Sequence, residues 1–119
     1  MGATGYRGLQ VWQKAMDLLV ASYELACKLP AYERYALTSQ LRRAAVSVPA
    51  NIAEGNGRAH RGDYVHHISI ARGSLLELET YIEIASRLNY ATEEELIEIR
   101  DLADHVSRML NRLTISLKR

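Results

Sequence analysis

The chain has 119 residues, 48% of them apolar and 24% charged, which suits one globular domain and excludes two ordinary ones. Its formal net charge of +1 at pH 7 excludes a strong field over the whole protein but excludes neither anionic nor cationic partners. A lone cysteine, Cys27, excludes an intrachain disulfide. We expect a buried thiol in a soluble, cytoplasmic protein with no signal peptide and no membrane span.

The first predicted helix covers residues 9–29 and follows a flexible N-terminus at residues 1–7. It ends before Pro30, because the residue before a proline is disfavoured in helical geometry. Apolar side chains recur at a helical period on two adjacent stripes. The stripes are Trp12, Met16, Leu19, Tyr23 and Ala26, and Val11, Ala15, Leu18, Leu25 and Leu29.

The second predicted helix covers residues 37–54 and contains Pro49. A proline inside a helix removes one backbone hydrogen bond and clashes with the preceding turn. We therefore predict one helix that is kinked at Pro49, rather than two helices. Gly55 and Gly57 follow, and we predict that they end the helix with left-handed caps.

The third and fourth predicted helices cover about residues 63–88 and 92–117, and each has an apolar stripe at helical spacing. Thr92 and Glu95 have the spacing of a capping box at the start of the fourth helix. The third helix carries more apolar residues than one core needs, which predicts self-association. Its second stripe is Ile70, Gly73, Tyr81, Ile84 and Leu88.

Four helices joined by short connections predict an all-α fold, an antiparallel up-down-up-down four-helix bundle. Antiparallel neighbours follow from short connections, since a chain cannot cross back over the bundle in a few residues. Only two prolines and seven glycines interrupt the sequence. The whole chain, 1–119, is therefore predicted to be a single domain.

Four segments resemble the 23S rRNA intervening-sequence protein family, also called the four helix bundle protein family. The segments are LQVWQKAM at 9–16, LTSQLRRAAVSVPANIAEG at 37–55, GR at 57–58 and IARGSLLELET at 70–80. The chain departs from many relatives at His66 and His67, where they carry aromatic or aliphatic residues. The resemblance implies a homopentameric ring of bundles. It also implies a link to RNA, since some members are encoded within 23S rRNA genes and distant relatives bind nucleic acid and a reverse transcriptase.

Catalytic and metal-binding patterns are missing from the sequence. The pairs Asp63 with His67 and Asp101 with His105 are each one helical turn apart, but the predicted register separates them by about 13 Å along the bundle. They therefore cannot share an ion. Ser39, Ser47, Ser69 and Ser74 are not predicted to form a catalytic group with a histidine and a carboxylate. We predict no metal, no cofactor and no enzymatic activity.

Two arginines in the second helix have two possible roles. A hairpin turning near residue 59 places Arg42 and Arg43 level with Glu77 and Glu79, which predicts a partly buried ion-pair network that fixes helix register. Alternatively, Arg43 contributes to nucleic-acid binding. Asn51 and Glu54, from the segment that most resembles the family, are predicted to hydrogen-bond neighbouring helices rather than to catalyse a reaction.

A basic turn between the second and third helices carries Arg58, His60 and Arg61. Residues 36–62 hold four arginines against Glu54 alone, so any attraction to phosphate is local. We predict a ring-forming protein that binds RNA or a ribonucleoprotein partner through this turn. The alternative is a protein-interaction scaffold that ignores nucleic acid.

Overall fold

The computed structural model describes residues 5–119, and within them every regular element is helical. The four α-helices are α1 (Gln10–Ala26), α2 (Leu37–Asn56), α3 (Arg61–Arg87) and α4 (Ile97–Leu117), with short 3₁₀ turns at Gly5–Gly8 and Ala31–Glu33. Each helix packs against the next, and α1 also packs against α4, which closes the bundle. The predicted four-helix bundle is confirmed. The bundle measures 43 × 24 × 24 Å.

The core is built from the apolar stripes that the sequence predicts. On α3 one stripe is buried almost completely, and its members are Ile68, Ala71, Leu75, Leu78, Ile82 and Ala85. On α1 the buried stripe contains Val11, Ala15 and Leu18, while Trp12 and Met16 are half-buried at its side. Each helix buries its stripe against the two helices beside it, which for α1 and for α3 are α2 and α4.

The helix α2 continues through Pro49 as one element, as predicted, and the kink stays a prediction. Its end differs from the expectation. Gly57 has φ −82°, so the predicted left-handed cap is wrong, and Gly55 lies inside the helix. A Cβ atom at Gly55 would lie 2.8 Å from the Cβ atom of His67 and 3.1 Å from Cδ1 of Tyr64. Gly55 is therefore required by the close approach of α3.

The start of α4 contains the predicted capping box. The backbone N–H of Thr92 donates to Oε1 of Glu95 at 2.9 Å, and the backbone N–H of Glu95 donates to Oγ1 of Thr92 at 3.1 Å. This box closes a turn, and α4 itself begins at Ile97, later than predicted. Lys28 also donates to Glu95 at 2.8 Å, which ties the end of α1 to this turn.

Several apolar side chains stay outside the core. The second stripe of α3 is exposed at Ile70, Ile84 and Leu88, and Leu76 beside it is 64% exposed. Cys27 is also exposed, so the expectation of a buried thiol is wrong. It lies just past the end of α1, on the solvent side of a segment whose residues Ala26 and Leu29 are buried.

The N-terminal segment packs against the bundle in part. The turn Gly5–Gly8 contacts α1 and α2, whereas residues 1–4 of the predicted flexible N-terminus lie outside the described residues. Between Gly5 and Arg119, no helix combines the length and the apolar character needed to cross a membrane.

Substitution of alanine at two of the glycines should change the free energy of unfolding in opposite directions. Gly73 lies inside α3 with open space around the added Cβ atom, so Gly73→Ala should raise the free energy of unfolding by about 0.5–1 kcal/mol through helix propensity. Gly55→Ala forces α2 and α3 apart and should lower it by about 1–3 kcal/mol. Urea denaturation of both variants measures the two effects, and a neutral Gly55→Ala would contradict the close packing.

Acid should weaken the junction of α1 and α4. The hydrogen bond from Lys28, followed by that from Thr92, lowers the pKa of Glu95 to about 2. Because this folded-state value lies below the ordinary one, Glu95 stabilises the fold above pH 4.5 and loses this effect as the pH falls towards 2. The stability difference between wild type and Glu95→Gln should therefore shrink on acidification. Glu94→Gln, in the same turn, is the control for the lost charge, and denaturation midpoints across this range measure both.

Candidate nucleic-acid interface

The two ends of the bundle carry different charges. Antiparallel packing brings the starts of α1 and α3 and the ends of α2 and α4 to one end, which we call the basic end. Two carboxylates, Glu54 and Asp63, lie near it. Its cationic side chains and one histidine are Arg7, Arg58, His60, Arg61, Lys118 and Arg119.

Few of these cations are paired with a carboxylate. Arg58 donates to Oε2 of Glu54 at 2.6 Å, and this bond, followed by the charge of His67, lowers the pKa of Glu54. Arg61 donates to a main-chain oxygen of Arg119 at 3.0 Å. Within residues 5–119, Arg61 has no Asp or Glu side-chain oxygen within 4.0 Å, and the same is true of the other three cations. The other three are Arg7, Lys118 and Arg119.

The opposite end is also charged, but there the charges compensate one another. Lys28 pairs with Glu95 at 2.8 Å. Arg100 pairs with Glu83 at 3.0 Å and with Glu93 at 3.1 Å. The hydrogen bond from Arg87, followed by that from Arg100, lowers the pKa of Glu83. The hydrogen bond from Ser86, followed by that from Arg100, lowers the pKa of Glu93, and the bond to Glu93 raises the pKa of Arg100. Among residues 5–119, Arg34 is the one cation of the opposite end without an Asp or Glu partner, whereas four cations of the basic end lack one.

A chain of hydrogen bonds runs between α2 and α3 towards the basic end. The hydroxyls of Ser47 and Ser74 bond at 2.7 Å, and the Asn51 amide donates to the carbonyl and hydroxyl oxygens of Ser47 at 2.9 and 3.0 Å. Nδ1 of His67 bonds to Oδ1 of Asn51 at 3.1 Å, and Nε2 of His67 lies 3.9 Å from Glu54. The structure thus contains the hydrogen bond to a neighbouring helix that was predicted for Asn51.

The predicted ion pairing of Arg42 and Arg43 with Glu77 and Glu79 is wrong. Arg42 instead points to α1, where its guanidinium lies 5.4 Å from the centre of the Tyr23 ring. Arg43 donates to the hydroxyl of Ser39 at 3.5 Å. The predicted axial register of α2 against α3 is close to the observed one, since Ser47 meets Ser74. The direction in which the arginine side chains leave α2 was not predicted correctly.

The two glutamates have separate surroundings. Exposed Glu77 borders a cavity of about 350 Å³ that Arg43 also borders, without an ion pair between them. Half-buried Glu79 borders a smaller cavity of about 170 Å³ with Arg100, and burial, followed by the charge of Asp104, raises its pKa. Neither carboxylate contributes to the basic end.

The basic end differs in membership from the predicted set. Arg58, His60 and Arg61 lie there, but Arg43 precedes Arg58 by fifteen residues, or about 22 Å along the axis. Arg43 therefore does not join the cluster. Arg7, Lys118 and Arg119 were not predicted, although the up-down-up-down topology brings both chain ends to the turn between α2 and α3.

Two common arrangements of catalytic and metal-binding side chains do not occur among residues 5–119. No hydroxyl or thiol there is hydrogen-bonded to a histidine. No three His, Cys, Asp or Glu side chains of this part of the chain lie close enough together to hold a metal ion. The chemistry that the basic end can perform is the binding of anions.

Comparison with known proteins supports the family resemblance. The model of the 23S rRNA-intervening sequence protein family matches residues 7–112. A solved structure, a protein with unknown function from the S23 ribosomal protein family of Bacteroides thetaiotaomicron VPI-5482, superposes with a TM-score of 0.80. The two are 24% identical over 87% of this chain and 97% of the other, which establishes the shared fold. No curated protein shows significant sequence similarity to the chain.

The hydrogen bond between Ser47 and Ser74 should contribute measurably to stability. Ser74 is 7% exposed, so Ser74→Ala should lower the free energy of unfolding by about 1 kcal/mol, and Ser47→Ala by more, because Asn51 also loses a partner. The double variant should lose less than the sum of the two. Ser116→Ala on the exposed face of α4 serves as the control. Strict additivity would contradict a direct bond.

Proposed function

Because the chain belongs to the 23S rRNA-intervening sequence protein family, we propose that it is a non-enzymatic, ring-forming helical protein that binds RNA through its basic end. The observation that carries the proposal is the gathering of Arg7, Arg61, Lys118 and Arg119 at one end of the bundle without an Asp or Glu partner among residues 5–119. For a cation without an Asp or Glu partner, exchanging its bound water for a phosphate group costs little free energy, since no existing ion pair has to break.

Side chains, rather than helix dipoles, supply this attraction. Two helices, α1 and α3, begin at the basic end and two, α2 and α4, end there. The partial positive charge of a helix N-terminus is therefore offset by the partial negative charge of the neighbouring C-terminus. The arginine and lysine side chains remain as the net source of positive potential.

Self-association would multiply a weak phosphate affinity. The exposed fractions of the apolar side chains Ile70, Leu76, Ile84 and Leu88, on α3 and at its end, are 38%, 64%, 36% and 51%, which supports burial against another subunit. In the ring proposed here, a pentamer, each copy presents its own basic end. Several weak phosphate contacts made by one RNA molecule then combine through avidity.

A second function is favoured by the same exposed stripe. A scaffold would use the apolar face of α3 to hold another protein, and its binding would be insensitive to salt. RNA binding is ionic and should weaken steeply as salt increases. The two functions are therefore distinguished by salt dependence and by the surface whose substitution abolishes binding.

Neutral substitutions at the basic end should weaken RNA binding. Arg58→Gln with Arg61→Gln should reduce the affinity for a fluorescein-labelled RNA hairpin roughly tenfold at low salt. The slope of log affinity against log salt concentration should fall by about 1–2, because up to two phosphate contacts are lost. Fluorescence anisotropy across a salt series measures both quantities.

The matched control removes the same two charges from the opposite end. Arg87 pairs with Glu83 one helical turn away, as Arg58 pairs with Glu54. Neither Arg34 nor Arg61 has an Asp or Glu partner among residues 5–119. Arg34→Gln with Arg87→Gln should therefore bind RNA like the wild type. Equal losses of RNA affinity in both double variants, or no salt-sensitive RNA binding by the wild type, would contradict the proposal.

The proposed ring is tested separately. Light scattering on a sizing column should give the wild-type protein a mass five times that of one chain.

A further inference from the structure

A groove between α3 and α4 begins at the basic end and runs along the side of the bundle. It has a volume of about 310 Å³ and is bordered by Arg72, Lys118 and His66. Two hydroxyl side chains, Ser69 and Thr114, also border it. Most of these positions recur every three or four residues on α3, so they face one side of that helix.

The groove carries positive charge without compensation. No carboxylate borders it. Neither Arg72 nor Lys118 has an Asp or Glu side-chain oxygen within 4.0 Å anywhere in residues 5–119, whereas the cations of the opposite end are mostly paired. A concave surface focuses the field of the charges that line it. An anion would be attracted here more strongly than to a single exposed cation.

The hydroxyl groups differ in what they can offer an anion. Thr114 donates its proton to the backbone carbonyl of Leu110 at 2.8 Å, so it has no proton left for a ligand. Ser69 makes no side-chain hydrogen bond with any residue from 5 to 119, and its hydroxyl is free to donate. Two cationic side chains with a hydroxyl donor are a donor set that suits phosphoryl oxygens.

The groove also lies on a continuous path from the basic end. Lys118 belongs to both, and Arg61 precedes Arg72 by eleven residues on α3, or about 16 Å along the axis. That length spans several phosphate groups of a polynucleotide. An RNA strand held at the basic end by Arg61 can therefore continue along α3 to Arg72 without leaving positive surface.

We infer that the α3–α4 groove is a phosphate-binding subsite in which Arg72, Lys118 and Ser69 hold the backbone of an RNA strand that extends from the basic end. The inference rests on the proposed function for the identity of the strand. Its chemistry, a phosphate ester, is shared by a free nucleotide. The experiment below separates these two sources.

The first arm measures RNA affinity by anisotropy with single-stranded and hairpin RNA. Arg72→Gln with Lys118→Gln should weaken binding roughly tenfold and lower the salt slope by about 1–2. The control is Arg112→Gln with Lys14→Gln, which removes an arginine and a lysine that do not border the groove. The control should bind like the wild type.

The second arm follows amide resonances of the full chain by NMR during titration with adenosine 5′-monophosphate. Resonances of Ser69, Arg72 and Lys118 should shift, and the Arg72→Gln, Lys118→Gln variant should abolish these shifts. This arm needs no RNA. It therefore tests the groove independently of the proposed function.

The outcomes are distinct. Wild-type RNA binding with loss only in the groove variant and in the Arg58→Gln, Arg61→Gln variant supports both proposals. Wild-type affinity in the groove variant overturns the subsite and leaves the proposed function standing. Shifts with the nucleotide but no RNA binding overturn the proposed function and assign the groove to a free nucleotide. No response in either arm overturns both.

Discussion

The close approach of α2 and α3 at Gly55 is the constraint on which the rest of the structure depends. There is no room for a Cβ atom between Gly55 and the pair Tyr64 and His67. Contact at this point fixes how far α3 can slide along α2, and with it the meeting of Ser47 with Ser74 and of Asn51 with His67. The turn that follows is short because the helices are already in contact.

The antiparallel topology also determines which charged side chains lie at each end of the bundle. Each end of an antiparallel bundle collects residues that are distant in the sequence, so Arg7 and Arg119 become neighbours of the α2–α3 turn. Lys28, Glu95, Arg100 and their partners collect at the other end and neutralise one another. One end is thereby used to hold the helices together, while the other keeps positive charge available for an anion.

The helices, their order and the buried stripe of α3 could be predicted from the sequence, because a period of 3.6 residues identifies a helix and its core face. The partners of Arg42 could not. Successive residues leave a helix about 100° apart, so an estimate of the axial level alone did not show that Arg42 faces Tyr23. Arg58 and Arg61 are close in sequence and were predicted together. Lys118 joins them only through the folded topology.

The separation of paired and unpaired charges along a bundle 43 Å long gives the molecule a permanent electric dipole moment parallel to its long axis. In the field of a polyanion such a molecule experiences a torque before any contact is made. It would rotate until its positive pole leads, which raises the fraction of encounters that are productive. If the molecules assemble side by side with their axes parallel, these moments add, and a cylindrical assembly approaches a polyanion with one rim foremost.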